Sequence, residues 1–254
     1  MKNLITYQWN MQSLLIVTLI VLFFSGCQKS DLCDCMKGTG KEITVSRPAS
    51  PFKSITLNKK ADLHIHYDTT YRITVSAGEK VIDDLTTSIS NGNLQIENNN
   101  KCNWVRNFDN SFRVDVYTPG LTNLEIENSS GNVYFDDTLT SENFLFQSWE
   151  SSGDYFLKLN CGTVTIALQT GPASIYASGK IGVGYLWNSG GGKFDALALH
   201  ADDIYSTNIG TNDLLLYPEK RLEAFIGYSG NIYIKGNPPI KQLQDNGAGT
   251  FITL

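Results

Sequence analysis

The residues of this sequence that could do chemistry are few and scattered. His64 and His66 flank Ile65, so on a strand they share one face, and two imidazoles are the start of a metal site. No third ligand lies nearby, and the expectation is two surface or half-buried polar side chains and no metal. Cys33-Asp34-Cys35 reads as half a zinc site, again without a second Cys or His pair at suitable spacing. Three acidic pairs, Asp83-Asp84, Asp136-Asp137 and Asp202-Asp203, raise the question of lyase or glycosidase chemistry, which uses grouped carboxylates. Neighbouring acids on a strand point to opposite faces, so no pair is a ready dyad, and at turns acids serve as solvated caps. The stretch from Gly190 to Leu197 partly echoes a calcium-binding nonapeptide repeat, but Lys193 stands where that repeat needs glycine, and the stretch occurs once. No Gly-x-Ser-x-Gly elbow and no phosphate loop occurs. The expectation is no catalytic residue, no metal and no cofactor.

Aromatic residues give the one positive binding signal. Trp149, Trp187 and Tyr228 each lie two to four residues before a glycine-containing turn. Aromatics bury their area by default, so the first expectation is that these three fill the interior. Facing outward, they would form a stacked column suited to sugar rings or an apolar partner.

The N-terminus reads as an address. Lys2 gives a weak positive region, and residues 14–24 form an apolar run broken only by Thr18. A membrane span needs about 20 apolar residues and a secretory core about 7–15, so the run fits a signal peptide over residues 1–26. Phe24-Ser25-Gly26-Cys27 resembles the lipobox of bacterial lipoproteins, with Phe24 in place of the usual leucine. The implication is cleavage before Cys27, acylation of its thiol with palmitate-type chains, and a lipidated tether over residues 27–42. Acyl anchoring contributes about 0.8 kcal/mol per buried methylene. Gln28-Lys29-Ser30-Asp31 resembles the tag that sends some lipoproteins to the outer face of the outer membrane. With Cys27 lipidated, Cys33, Cys35, Cys102 and Cys161 remain, and an even number in an exported chain points to disulfides. A bridge from Cys35, or its neighbour Cys33, to Cys102 would staple the N-terminal lead to the body.

The elements that position these residues are short strands. Residues 54–57, 61–67, 71–75, 93–97 and 112–117 alternate apolar and polar with β-branched and aromatic enrichment. Residues 81–87 are the one helical turn the sequence suggests. From residue 124 onward, turns recur at Gly131, Gly153, Gly171, Gly190, Gly210, Gly230 and Gly249, in steps of 22, 18, 19, 20, 20 and 19. Each leads into an apolar strand, with a second strand before the next turn. A fixed period near 20 predicts one coil of a β-solenoid per repeat, two strands per coil, with rungs about 4.8 Å apart. Glycine and asparagine are expected at the corners for positive φ and close backbone approach. A β-sandwich is the competing reading. Composition agrees: 41% of residues are apolar, 18% are charged, and the net charge of −5 leaves no basic field for nucleic acid.

These features resemble the autotransporter-adhesin head family that carries the GIN domain. The carrying segments run in order from Cys35-Met36-Lys37-Gly38-Thr39-Gly40, Arg47 and Phe52-Lys53-Ser54-Ile55 to Lys101-Cys102-Asn103-Trp104-Val105-Arg106. Tyr117-Thr118-Pro119-Gly120-Leu121 and the Ser-Gly corners follow. Pro172 in the third corner and Asn208-Ile209-Gly210-Thr211 in the fifth depart from the even pattern. The resemblance implies an all-β fold: a right-handed, pectin-lyase-like, single-stranded parallel β-helix with glycine-rich corners between two sheets. It implies one solenoid domain over residues 43–254, less regular over 43–127 and regular over 128–254. It also implies a non-enzymatic role in cell adhesion, as an outer-membrane lipoprotein meeting a host or cell-surface glycan or protein. A polysaccharide-binding module, or a polysaccharide lyase or hydrolase, is the alternative. The unpaired strand at residues 250–254 could serve self-association.

Overall fold

The computed structural model describes residues 38–100 and 111–254. Cys27, Cys33, Cys35 and Cys102, and with them the lipidation and the disulfide, lie outside the described residues.

The described chain is built of strands. In order they are β1 (Glu42–Arg47), β2 (Ser54–Asn58), β3 (Asp62–Tyr67), β4 (Arg72–Gly78), β5 (Leu85–Ser90), β6 (Asn93–Asn98), β7 (Arg113–Thr118), β8 (Asn123–Glu127) and β9 (Val133–Phe135). Three long strands then follow β10 (Leu139–Trp149): β11 (Asp154–Leu168), β12 (Ser174–Asn188) and β13 (Phe194–Asn208). The last five are β14 (Leu214–Leu216), β15 (Pro218–Ile226), β16 (Ile232–Ile234), β17 (Ile240–Asp245) and β18 (Phe251–Thr253). The expected helical turn is a 3₁₀ turn at Ile82–Asp84, which leads directly into β5.

Parallel pairing stacks these strands into a β-solenoid, as the 20-residue period requires. On face A the order is β6-β2-β8, then the C-terminal parts of β10, β11, β12 and β13, then β15 and β17. On face B it is β7-β3-β9, then the N-terminal parts of β11, β12 and β13, then β14, β16 and β18. The expectation of two strands per coil is too simple. Residues 139–141, 159–161, 179–181 and 199–201 pair as a short third ladder, face C. The long strands reach it by bending, and the ladders skip Glu142, Gly162, Gly182 and Asp202, where the chain turns from face C to face A.

The N-terminal part is less regular for a topological reason. The first rung in sequence, β2–β3, is not at the end of the stack but between β6–β7 and β8–β9. Beyond β6–β7 the pairing turns antiparallel: β5 covers β6, β4 covers β7, and β1 covers β4. These strands close that end of the solenoid, as a capping repeat does. The other end is the edge of β17 and β18. There Lys241, Leu243 and Asp245 continue the inward rows of face A but are exposed, and two charges on an inward row oppose further strand pairing.

Inward rows of like residues make the core. One runs Leu94, Ile55, Leu124, Phe146, Ile166 and Leu186, all nearly or wholly buried. Each such side chain contributes about 1.5–3 kcal/mol by leaving water. The neighbouring row passes through two asparagines before Ile226: Asn188 donates through Nδ2 to Asn208 Oδ1 at 3.1 Å, both fully buried. Asn208 Nδ2 in turn donates to the carbonyls of Asn212 and Asn231.

The corner glycines confirm the period, but for one of the two expected reasons. Of the seven, Gly171 alone has positive φ, at 95°. At the others a Cβ would strike the backbone of the rung above; at Gly153 and Gly210 it would meet the carbonyls of Gly131 and Gly190. Non-glycine residues take the left-handed turn positions instead, at Asn128 and Glu150, each with φ of 49°.

Candidate functional site

On a strand, alternate residues face out, so the outward surface of face A can be written down row by row from the register. Asn93 and Ser54, Gln95 and Thr56, and Glu97 and Asn58 cover its capped end with polar groups. From β10 onward the rows change character. One contains Thr165, Tyr185, Tyr205 and Glu223; the next contains Gln147, Ala167, Trp187, Thr207 and Phe225. Together they line an open groove of about 730 Å³. Tyr185 and Tyr205 stack with ring centroids 5.3 Å apart at 18°. Tyr185 is 47% exposed and Trp187 39%.

The three aromatics expected in the interior are therefore on the surface. Trp149 and Tyr228 are 40% and 55% exposed. Burial loses because each inward position beside them is already filled: Ser148, Leu186, Asn188 and Ile226 occupy the interior rows. Nor do the three share a column. Trp187 is in register with Ala167 and Thr207, whereas Trp149 pairs with Glu127, two residues further along the rung, and Tyr228 lies beyond the end of β15. Tyr185, Tyr205 and Phe225 sit in mid-strand, away from the corners, and the sequence reading passes over them. Laying the sequence out at 20 residues per line places Tyr185 over Tyr205 and would have found them.

Face B carries a second outward row. His64 stacks on Tyr134 at 4.5 Å, Tyr134 on Phe156 at 5.3 Å, and Phe156 on Tyr176 at 5.1 Å. His66 stacks on Tyr117 at 4.5 Å, with the Arg72 guanidinium 3.4 Å above the Tyr117 ring. The two histidines do share a face, and pairing brings them acids that local sequence does not show. His64 Nδ1 is 2.8 Å from Asp136 Oδ2, and His66 Nε2 is 3.0 Å from Asp115 Oδ1. Arg113 forks onto Asp115 through Nε and Nη2 at 2.8 and 2.6 Å. Burial disfavours the charged Asp115, but the Arg113 and His66 hydrogen bonds outweigh it and hold the carboxyl below its ordinary range. The cluster is a hydrogen-bonded network of His64, His66, Asp115, Asp136 and Arg113. Among the described residues, no group of three or more His, Cys, Asp or Glu is placed to hold a metal ion.

The sequence-adjacent acids go to separate places. Asp83 and Asp84 sit in the 3₁₀ turn, Asp136 bonds His64, and Asp202 bonds Lys220 at 2.9 Å. In the calcium-like stretch, Lys193 is already 2.8 Å from Asp195. Cys161 is a free, buried thiol 3.6 Å from the Leu139 carbonyl, and burial pushes its pKa up.

A stacked β-solenoid with an open aromatic groove on one face belongs to the class of elongating-repeat scaffolds that present a surface. The chain belongs to the family described as putative auto-transporter adhesin, head GIN domain, which matches residues 51–238. Among solved structures, a putative adhesin from Bacteroides fragilis is similar at 19% identity and a TM-score of 0.78, covering 86% of this chain and all of the other. A putative lipid binding protein from Parabacteroides distasonis is similar at 18% identity and 0.63, over 84% and 97% of the two chains. A putative adhesin from the same species follows at 16% and 0.64, over 85% and 98%. These likenesses are of fold. No curated protein matches. Among the described residues, no helix is long and apolar enough to cross a membrane.

Proposed function

We propose that this chain is a non-enzymatic adhesion protein of the cell envelope, held in the outer membrane by lipid on Cys27, and that face A is its binding face. The observation that carries the reading is the groove. Exposed aromatic rings on a paired sheet face, left uncovered by any described element, lie where polar residues would serve solubility better, and such surfaces are interaction sites. Family membership supports the adhesive role, and the lipobox-like Phe24-Ser25-Gly26-Cys27 supports the anchor.

The test has two arms. Palmitate labelling of cells expressing the protein should mark the wild type and not Cys27→Ser. Protease shaving of intact cells should remove the protein, and cells carrying Trp187→Ala should adhere less than the wild type to a cell or mucus layer. Protection from protease in intact cells, with lysis alone exposing the protein, would refute a role in adhesion.

A further inference from the structure

Resting on the reading of face A as the binding face, we infer that its groove binds a neutral glycan chain, with Tyr185, Trp187, Tyr205 and Phe225 as platforms for sugar rings. A sugar ring has an apolar C–H face and a rim of hydroxyls, so its site needs exposed aromatic carbon and hydrogen-bonding groups side by side. The groove supplies both, because Gln147, Gln169, Thr165 and Thr207 lie among the rings.

Charge narrows the ligand. Among the described residues no Lys or Arg lines the groove, and the one acid that does, Glu223, is already 3.3 Å from Arg221. The nearest cation, Arg221, stands at the groove edge with its Nη1 donating to Tyr205 Oη at 3.4 Å and to Glu223 Oε1 at 3.3 Å, so a phosphate, sulfate or carboxylate would meet an arginine whose charge is already paired. An apolar helix or acyl chain laid along the rings would cover the glutamine amides and threonine hydroxyls without pairing them, which disfavours it. Sugar hydroxyls satisfy the same groups.

Spacing narrows it further. Small side chains stand beside the large ones: Thr165 next to Tyr185, Ala167 next to Trp187, and Thr207 between Trp187 and Phe225. The last gap spans two rungs, roughly 9–10 Å, enough for a ring with van der Waals contact on both sides. The rows run along the stacking direction, so rings stand on three successive rungs, at Tyr185 and Trp187, Tyr205, and Phe225. A chain of sugars can reach all three and a single sugar cannot. The polar surface of β6, β2 and β8 closes the run at the capped end.

The test is retardation of the purified, detergent-solubilised protein in native gels. Separate gels contain hydroxyethylcellulose, yeast mannan, arabinogalactan, dextran, polygalacturonate or heparin, and phosphatidylcholine–phosphatidylglycerol vesicle flotation runs in parallel. The expected result is retardation by at least one of the four neutral polymers. Trp187→Ala should weaken it about tenfold or more, as loss of an aromatic anchor does. Thr207→Trp, which fills the gap while keeping Trp187, should abolish it even if Trp187→Ala were to fold poorly. Phe156→Ala on face B should leave it unchanged. Retardation by no neutral polymer, binding confined to the anionic polymers or to vesicles, or indifference to both groove variants overturns the inference. Trp187-dependent cell adherence without neutral-polymer retardation overturns the glycan inference alone. Retardation by a neutral polymer without Trp187-dependent adherence supports the glycan site and overturns the adhesion reading.

Discussion

Replacing Asn208 by alanine should be among the most damaging single changes to this fold, and far worse than the same change at Asn188 one rung away. Asn208 makes four hydrogen bonds from a fully buried position. Nδ2 donates to the carbonyls of Asn212 at 3.1 Å and Asn231 at 3.0 Å, and Oδ1 accepts from Gly210 N at 3.2 Å and Asn188 Nδ2 at 3.1 Å. After Asn208→Ala, the Asn231 carbonyl still accepts from Leu214 N and the Asn212 carbonyl from Asn188 Nδ2. The Gly210 N–H loses its acceptor. One orphaned buried donor costs about 1–3 kcal/mol, and the three shared bonds about 0.5–1.5 kcal/mol each, so the total is about 2.5–7.5 kcal/mol. Asn188→Ala removes one donor group and orphans nothing: Asn208 Oδ1 keeps Gly210 N, the Asn212 carbonyl keeps Asn208 Nδ2, and Asn188 Oδ1 has no partner to lose. Its two lost bonds should cost about 1–3 kcal/mol together. Urea unfolding followed by far-ultraviolet circular dichroism gives both values from the shift in midpoint and the slope. An Asn188→Ala loss equal to or above that of Asn208→Ala would refute the accounting, as would an Asn208→Ala loss under about 1 kcal/mol.

Three glycines should rank by mechanism in thermal melts. Gly120→Ala, with open space around it, should be near neutral, and Gly92→Ala should cost about 1 kcal/mol for its positive φ alone. Gly210→Ala should cost more than either, because its Cβ would press on the Gly190 carbonyl; equal melting temperatures for all three would show that corner packing does not matter. Asp115 has a folded pKa below its unfolded one, so its stabilisation is complete above the unfolded value and is lost as pH falls toward the folded value. Asp115→Asn should therefore be less stable at neutral pH and lose stability less steeply below about pH 4, where a parallel acid limb in urea titrations would count against the Arg113 and His66 bonds. Cys161 should resist iodoacetamide in the native protein and react in urea, since burial both hides the thiol and raises its pKa; labelling at equal rates would show the rung to be open. Glu125, whose pKa is raised by burial and then by Glu127, has the opposite sign to Asp115: Glu125→Gln should raise the melting temperature at neutral pH and make no difference in acid.

Much of the architecture is legible in the sequence because a solenoid repeats its constraints. The glycine steps give the coil length, since each coil must bring its corner backbone against the one before. Alternation in segments such as 54–57 and 221–225 gives the strands and their inward rows. Three things resist reading. Face C is invisible because β11 alternates without interruption through it; its bends fall at two glycines and two acids, Gly162, Gly182, Glu142 and Asp202, with no one residue type common to all four. The place of β2–β3 between β6–β7 and β8–β9 depends on pairings across about 40 to 70 residues, which no local pattern encodes. The same long reach hides the contacts of His64 and His66 with Asp136 and Asp115. The groove is an intermediate case. Tyr185 and Tyr205 are one coil apart and could be aligned by the period, but their outward direction follows only once the inward rows are seen to be full.

The antiparallel cap over β6 and β7 leaves the regular parallel stack as the place where added coils can enter. A duplicated coil of about 20 residues placed between β13 and β17 would find the same register above and below it, and would extend face A by another row of the groove. The same duplication near β2 would have to pass a rung already held on both sides and a cap already closed. Gene-level variation in chain length should therefore collect toward the C-terminal coils, so that relatives differ in how many groove rows they present while sharing one way of beginning.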